Sequence, residues 1–280
     1  MCKIMDGAAL ARKIREELKE DTGILKKTAG LTPKLTVVLV GNDPASQIYV
    51  NNKVNACKEV GFESEVIRLS DAIAEEQLLK IIAGLNKAPD VHGLLVQLPL
   101  PEHIAEENIV AAIDPKKDVD GLHPVNIGQL LLGRPNFIAC TPFGCLKLLE
   151  HYGVNPAGKH AVIVGRSNIV GKPLSALLLQ KNATVTVCHS HTVNLSEITA
   201  QADILVASVG KAGFITQEMV KEGAVVLDVG INRLDSGKVA GDVDFASVSE
   251  KAGLITPVPN GLGPMTIAML LTNTLKAVKG

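Results

Sequence analysis

HAVIVGRSNIVGKPLSALLLQKNATVTVC, residues 160–188, is the stretch whose reading decides the fold. His160 to Gly165 is a short apolar run, the pattern of a strand buried on both faces. A turn follows, with glycines at 165 and 171, and it opens a Leu-rich helix. Ala183 to Cys188 is rich in β-branched residues and reads as the next strand. Strand, glycine turn, helix and strand make a βαβ unit. At such a turn backbone N–H groups and the helix dipole favour a phosphate. The glycines depart from the usual dinucleotide spacing, because Ser167 occupies the second-glycine position. Beyond the second strand an NAD site normally carries an acid for the ribose 2′-hydroxyl. Here the residues are His189, Ser190, His191 and Thr192, with no acid. A carboxylate would repel a 2′-phosphate, whereas Ser190 and Arg166 can donate hydrogen bonds to one. The cofactor is therefore read as NADP. His189 and His191 are either part of this site or ordinary strand-end histidines.

Outward from this unit the alternation continues. Asp203–Ser208 and Ala224–Gly230 read as further buried strands with a helix between them, and Leu254–Pro257 as the last strand. Residues 257–266 are dense in Pro and Gly, either a rigid binding loop or an interdomain link, and a closing helix runs to Lys279. Towards the amino terminus, Thr141 and Pro142 begin a helix, with Thr as its cap. Residues 7–20 place Leu10, Ile14 and Leu18 at fourfold spacing, an amphipathic helix. Between these lies a second strand-and-helix alternation. Its strands begin near Thr36, Phe62 and His92, and its helices run from Ser46 to Gly61 and from Glu75 to Leu85. Such alternation predicts an α/β fold with parallel sheets and crossover helices, in which ligands sit beyond the carboxyl ends of the strands.

Two polar residues fall at such ends. Tyr49 and Lys53 stand four apart on one helix face just after the first of these strands, a candidate acid/base pair. Gln97 closes the third, where it either caps the sheet end or faces a ligand. Asp118 and Asp120 flank Val119 and point the same way if the segment is extended. One could then hold a ligand while the other supports the loop.

Composition narrows the classes. The formal net charge is −1 and no basic block occurs, which argues against nucleic acid as a partner. No apolar run reaches the length of a membrane span, and the amino terminus lacks a signal peptide's apolar segment. With no Trp, two Tyr and five Phe, the core must be aliphatic. Five irregularly spaced cysteines fit reduced thiols in a cytosol better than a disulfide framework, and none completes a metal site.

The residues also resemble a known family. Tyr49-Val50-Asn51-Asn52-Lys53, Gln97-Leu98-Pro99-Leu100-Pro101 and Asp118-Val119-Asp120-Gly121 stand in its order. So do Gly165-Arg166-Ser167 with Gly171-Lys172-Pro173, and Gly263-Pro264-Met265-Thr266. Nearly end to end, the chain is similar to the bacterial form of the bifunctional methylenetetrahydrofolate dehydrogenase/methenyltetrahydrofolate cyclohydrolases. The resemblance implies two αβα domains with a cleft between them, the second a Rossmann-like doubly wound parallel sheet. Residues 1–140 with 265–280 would form the folate-binding catalytic domain, and 141–264 the NADP-binding domain. Lys53 would be the acid/base group, oriented by Gln97, with Tyr49 packed on the pterin and Asp120 hydrogen-bonded to it. Leu98, Gly263 and Pro264 would complete the tetrahydrofolate site. Arg166 and Ser190 would take the cofactor phosphate, with Gly165, Ser167 and Ile231 lining the cofactor. Family members are usually homodimers through the nucleotide domain. Asn260 departs from the family's glycine, a position where positive φ is expected and which Asn tolerates. Leu262 departs from the family's valine. The competing readings are an NADP-dependent dehydrogenase of another small substrate and a non-catalytic NADP-binding sensor.

Overall fold

The structure is a computed structural model that describes residues 2–234 and 236–279. The chain divides into two compact units, Arg12–Ile138 with Ile267–Gly280, and Met1–Ala11 with Ala139–Thr266. It opens with β1 (Lys3–Ile4) and α1 (Gly7–Ala29), a helix longer than the amphipathic pattern alone suggests.

In the first unit β2 (Lys34–Val40), α2 (Pro44–Val60), β3 (Glu63–Leu69), α3 (Glu75–Lys87) and β4 (Gly93–Val96) alternate as expected. The short helices α4 (Glu106–Ala112) and α5 (Pro124–Leu131) follow. The three strands are parallel in the order β3-β2-β4. Central β2 is buried from Leu35 to Val40, which explains why its sequence is continuously apolar. Val38, Val40, Leu78, Ile82, Leu94, Val96 and Ile109 form one aliphatic core. Helix α2 starts two residues before Ser46, and its cap is Asp43. Its carboxylate accepts from Ser46 N at 2.7 Å, because Pro44 already starts the helix and moves the cap one residue before it. Gly61, in the left-handed conformation, ends α2 as anticipated.

The second unit holds α6 (Cys140–His151), β5 (His160–Val164), α7 (Gly171–Gln180), β6 (Thr184–Cys188), α8 (Leu195–Thr199), β7 (Ile204–Ala207) and β8 (Val225–Asp228). The small hairpin β9 (Asn232–Arg233) and β10 (Val239–Ala240), α9 (Phe245–Val248), β11 (Leu254–Ile255) and α10 (Leu262–Lys279) complete the chain. Six parallel strands run in the order β1-β11-β8-β7-β5-β6. Val162, Val164, Leu205, Val226 and Ile255 lie in its aliphatic core.

Four expectations change here. Residues 2–11 group with the six-stranded unit and not with the residues that follow them, because β1 pairs with β11 and covers an edge otherwise left unpaired. Between β7 and β8 there is only a 3₁₀ turn, Gln217–Met219, in place of a full helix. Helix α6 starts at Cys140 without a side-chain cap, and the Thr141 hydroxyl instead meets that of Thr266 at 2.9 Å. Helix α10 begins at Leu262, so Gly263 and Pro264 lie in its first turn, where Pro removes no helical hydrogen bond.

Candidate active site

In the three-stranded unit the chain turns sharply after β2. Gly41 N donates to Leu69 O at 2.9 Å, and the Asp43 cap then starts α2 above the carboxyl end of the sheet. Val50, Ala56, Cys57 and Val60 are buried, and the register of that face leaves Tyr49 and Lys53 half-buried one turn apart. Gln97 adds one rung to β4 by donating its N–H to Val38 O at 2.9 Å. Lys53 Nζ then donates to Gln97 Oε1 at 3.0 Å, while Gln97 Nε2 donates to Leu98 O at 2.7 Å. The ammonium has only donors, so it takes the amide oxygen and leaves the NH₂ for the carbonyl. One turn past Lys53, burial pushes the Cys57 thiol up to about 12, against the opposing charge of Lys53. That thiol stays protonated and is no nucleophile at neutral pH.

Asp118 and Asp120 divide their work through a turn and not through an extended segment. Asp118 bridges to Leu94, which carries Asp120 towards the carboxyl end of β4. The Asp118 carboxylate is 1% exposed and accepts from His123 N at 2.8 Å and Asn126 Nδ2 at 2.7 Å. Burial raises its pKa, and the bonds from Asn126 and His123 oppose the rise. His123 Nδ1 accepts from Val125 N to cap α5, so its other nitrogen donates to Ala111 O. Asn273 of α10 holds Val119 O at 2.8 Å. Asp118 thus supports the loop, and Asp120 beside it is half-buried. No hydrogen bond joins Asp120 to Lys53 among the described residues.

In the six-stranded unit the strand order reverses at β5, whose neighbours are β6 and β7. Ligands of such sheets bind at this reversal, beyond the carboxyl ends. Gly165 sits there with φ +132°, and a side-chain carbon on it would lie 2.3 Å from Ser208 O. A side-chain carbon on Gly171 would lie 2.1 Å from Gly165 O. Only glycines let the turn fold this closely on itself, leaving a cradle that substituents would fill. The Ser208 hydroxyl is buried in this cradle with no partner among the described residues. Ser167 Oγ accepts from Val170 N at 3.1 Å, so it shapes the turn itself. Arg166 and Ser190 are exposed beyond β5 and β6. Ser190 lies in a turn closed by His189 N to Thr192 Oγ1 and by Thr192 N to His189 O, each at 2.8 Å. His189 and His191 serve that turn, His191 N donating to His189 Nδ1 at 3.2 Å. Ile231 is 45% exposed beyond β8 and neighbours Gly263, where an added carbon would meet its Cδ1 at 3.7 Å. Asn260 has φ +79°, the conformation that a glycine would adopt there.

Matches to known families also divide the chain between residues 120 and 139, but they keep residues 5–11 with the first part and 267–280 with the second. Residues 5–120 match the model of the tetrahydrofolate dehydrogenase/cyclohydrolase catalytic domain, and residues 139–280 match that family's NAD(P)-binding domain. The chain belongs to the tetrahydrofolate dehydrogenase/cyclohydrolase family. It is 57% identical over 277 residues to a bifunctional protein FolD of Moorella thermoacetica, covering 99% of each. Among solved structures, the bifunctional enzyme FolD of Campylobacter jejuni is 52% identical, with a TM-score of 0.98 over 100% of this chain and 99% of that one. A Trypanosoma brucei methylenetetrahydrofolate dehydrogenase-cyclohydrolase, solved with NADP cofactor and inhibitor, is 37% identical. Its TM-score is 0.96 over 99% of this chain and 97% of that one. The supporting polar groups that local sequence did not reveal are Asn126 and Asn273, and in the six-stranded unit two buried carboxylates, Asp228 and Asp242. Only Asp228 carries a sequence signal of its own, as a lone polar group in the apolar stretch Val225-Val226-Leu227-Asp228-Val229.

Proposed function

We propose that this family member oxidises 5,10-methylenetetrahydrofolate to the 5,10-methenyl cation with NADP, and that water then opens the cation to 10-formyltetrahydrofolate. The observation that carries the residue assignment is the Lys53–Gln97 hydrogen bond beyond the carboxyl ends of β2 and β4. Bound NADP supplies the hydride acceptor. Lys53 exchanges the proton of the hydrolytic step, and Gln97, itself anchored on Leu98 O, fixes the direction of the Lys53 donor. Acid/base help of this kind is worth about 10² to 10⁴ in rate. Tyr49 packs against the pterin and Asp120 accepts its N–H groups, with Leu98, Gly263 and Pro264 completing the substrate site. Gly165 and Ser167 shape the turn against the cofactor, Ile231 lines it, and Arg166 and Ser190 hold the 2′-phosphate. The missing carboxylate beyond β6 supports NADP over NAD.

The protein works as a homodimer in the cytoplasm in this reading. Strand β6 is a sheet edge on which Val187 is exposed, and Ile169, Leu179 and Val193 are exposed near it in sequence. An edge of this kind invites pairing. Among the described residues no helix is long and apolar enough to cross a membrane. Lys53→Met tests the central assignment. It is expected to lose cyclohydrolase turnover of added methenyltetrahydrofolate while keeping NADP binding, and turnover at the wild-type rate would refute the role of Lys53.

A further inference from the structure

Two buried carboxylates in the six-stranded unit have no part in the scheme above. Asp242, just after β10, is wholly buried, and Asp228, the last residue of β8, is 3% exposed. Asp242 Oδ2 accepts from Val209 N at 2.6 Å and Gly210 N at 3.0 Å. Its Oδ1 accepts from Lys211 N and from Asn232 Nδ2, both at 2.9 Å. Asp228 Oδ1 accepts from Gly230 N and Asp242 N at 2.9 Å, and its Oδ2 from Val243 N at 3.0 Å. Thr256 Oγ1 accepts the N–H of Asp228 at 2.7 Å.

Burying a carboxylate without a cation is costly unless several donors surround it. Four of the seven donors here are backbone amides of two loops, Val209, Gly210 and Lys211 in one and Gly230 in the other. Residues 209–211 leave the carboxyl end of β7, and residues 230–232 leave that of neighbouring β8. Strand β7 also borders β5 and its glycine turn. Ile231 sits between Gly230, held by Asp228, and Asn232, held by Asp242. An apolar pair could fill the same volume but could not fix the direction of successive amides.

We propose that Asp242, seated by Asp228, is a positioning residue for the dinucleotide. It locks the Val209–Lys211 loop and the Ile231 segment into one rigid wall of the cofactor site. This rests on the dinucleotide reading of that sheet edge. Asn in place of Asp242 keeps the shape but turns an NH₂ towards amide donors on one side, which must open one of the two loops.

The test is calorimetric titration with NADPH of wild type, Asp242→Asn and Asn232→Ala. Turnover of added methenyl substrate without cofactor, measured on the same preparations, reports the other unit. Asp242→Asn is expected to raise the NADPH Kd about tenfold or more, the scale of one buried hydrogen-bond set lost, with hydrolytic turnover kept. Asn232→Ala, which leaves the three loop amides on Asp242, is expected to raise Kd about threefold, as one donor is lost. If Asp242→Asn does not fold, Asn232→Ala decides alone. Wild-type binding together with unchanged Kd in the folded variants would overturn the inference. A wild type that binds no NADPH would remove the dinucleotide reading, and this inference with it.

Discussion

Gly171→Ala puts the close packing of the glycine turn to a quantitative test. The added carbon would lie 2.1 Å from Gly165 O, 2.7 Å from Gly165 C and 3.0 Å from Arg166 Cα. All three are backbone atoms, so no side chain can swing aside, and the start of α7 must part from the turn by more than about 1 Å to reach ordinary contact. Helix α7 is held by buried Leu174, Ala176, Leu177 and Leu178, which resist that shift. Overpacking of this kind costs about 1–3 kcal/mol, which corresponds to about 2–4 °C of melting temperature per kcal/mol in a unit of this size. A displacement of about 1 Å in a positioning element costs about 10²-fold in rate. Dehydrogenase kcat/KM for NADP is therefore expected to fall about 10²-fold, while cofactor-free hydrolysis of methenyl substrate, proposed to use Lys53 and Gln97, stays near wild type. Gly23→Ala is the control. Position 23 lies inside α1 with nothing within 4 Å of the added carbon, so Ala there stabilises by up to about 1 kcal/mol. If Gly171→Ala keeps the wild-type KM for NADP and the wild-type melting temperature, the close-packing argument is wrong.

Other residues give independent checks. Arg166→Ala is expected to weaken NADP much more than NAD in steady-state kinetics, and equal losses would refute the 2′-phosphate assignment. Burial pushes the Asp228 carboxyl from 3.8 to about 6. The folded state holds that proton more tightly, so the group's stabilising contribution is present below about pH 4 and is lost as pH rises through about 6. Its size is about 3 kcal/mol at about 1.4 kcal/mol per pH unit. In urea titrations the stability of wild type relative to Asp228→Asn should therefore fall across that window and level off above it, and a difference that does not change with pH would contradict the burial. Val187→Lys places a charge on the exposed β6 edge and is expected to shift sedimentation from dimer to monomer with the fold intact; an unchanged dimer moves the interface elsewhere.

Local pattern alone carried much of this protein. Apolar runs, turn glycines and fourfold helical spacing are short-range signals, and they located the strands of both sheets except β1, the Gly61 stop and the Gly165–Gly171 turn. They also put Lys53 and Gln97 at strand ends, whereas the positive φ of Asn260 was expected only from the glycine that the resembled family has there. The tertiary structure decided the partners. Lys53 meets Gln97 because β2 and β4 pair in parallel with Val38 beside Val96, a register no local window contains. The membership of β1 in the far sheet depends on an edge offered by β11. Asp118 and Asp120 look equivalent in sequence, and only Asn126 and His123 closing on Asp118 mark it as the loop's support. Asp228 and Asp242 became readable once their donors were known, because a carboxylate's role is set by what surrounds it. Sequence determines which segments bury themselves, since that follows from each residue's own hydrophobicity and backbone preference. Which polar atoms then face one another depends on distant segments being brought into register, and that is a property of the folded chain.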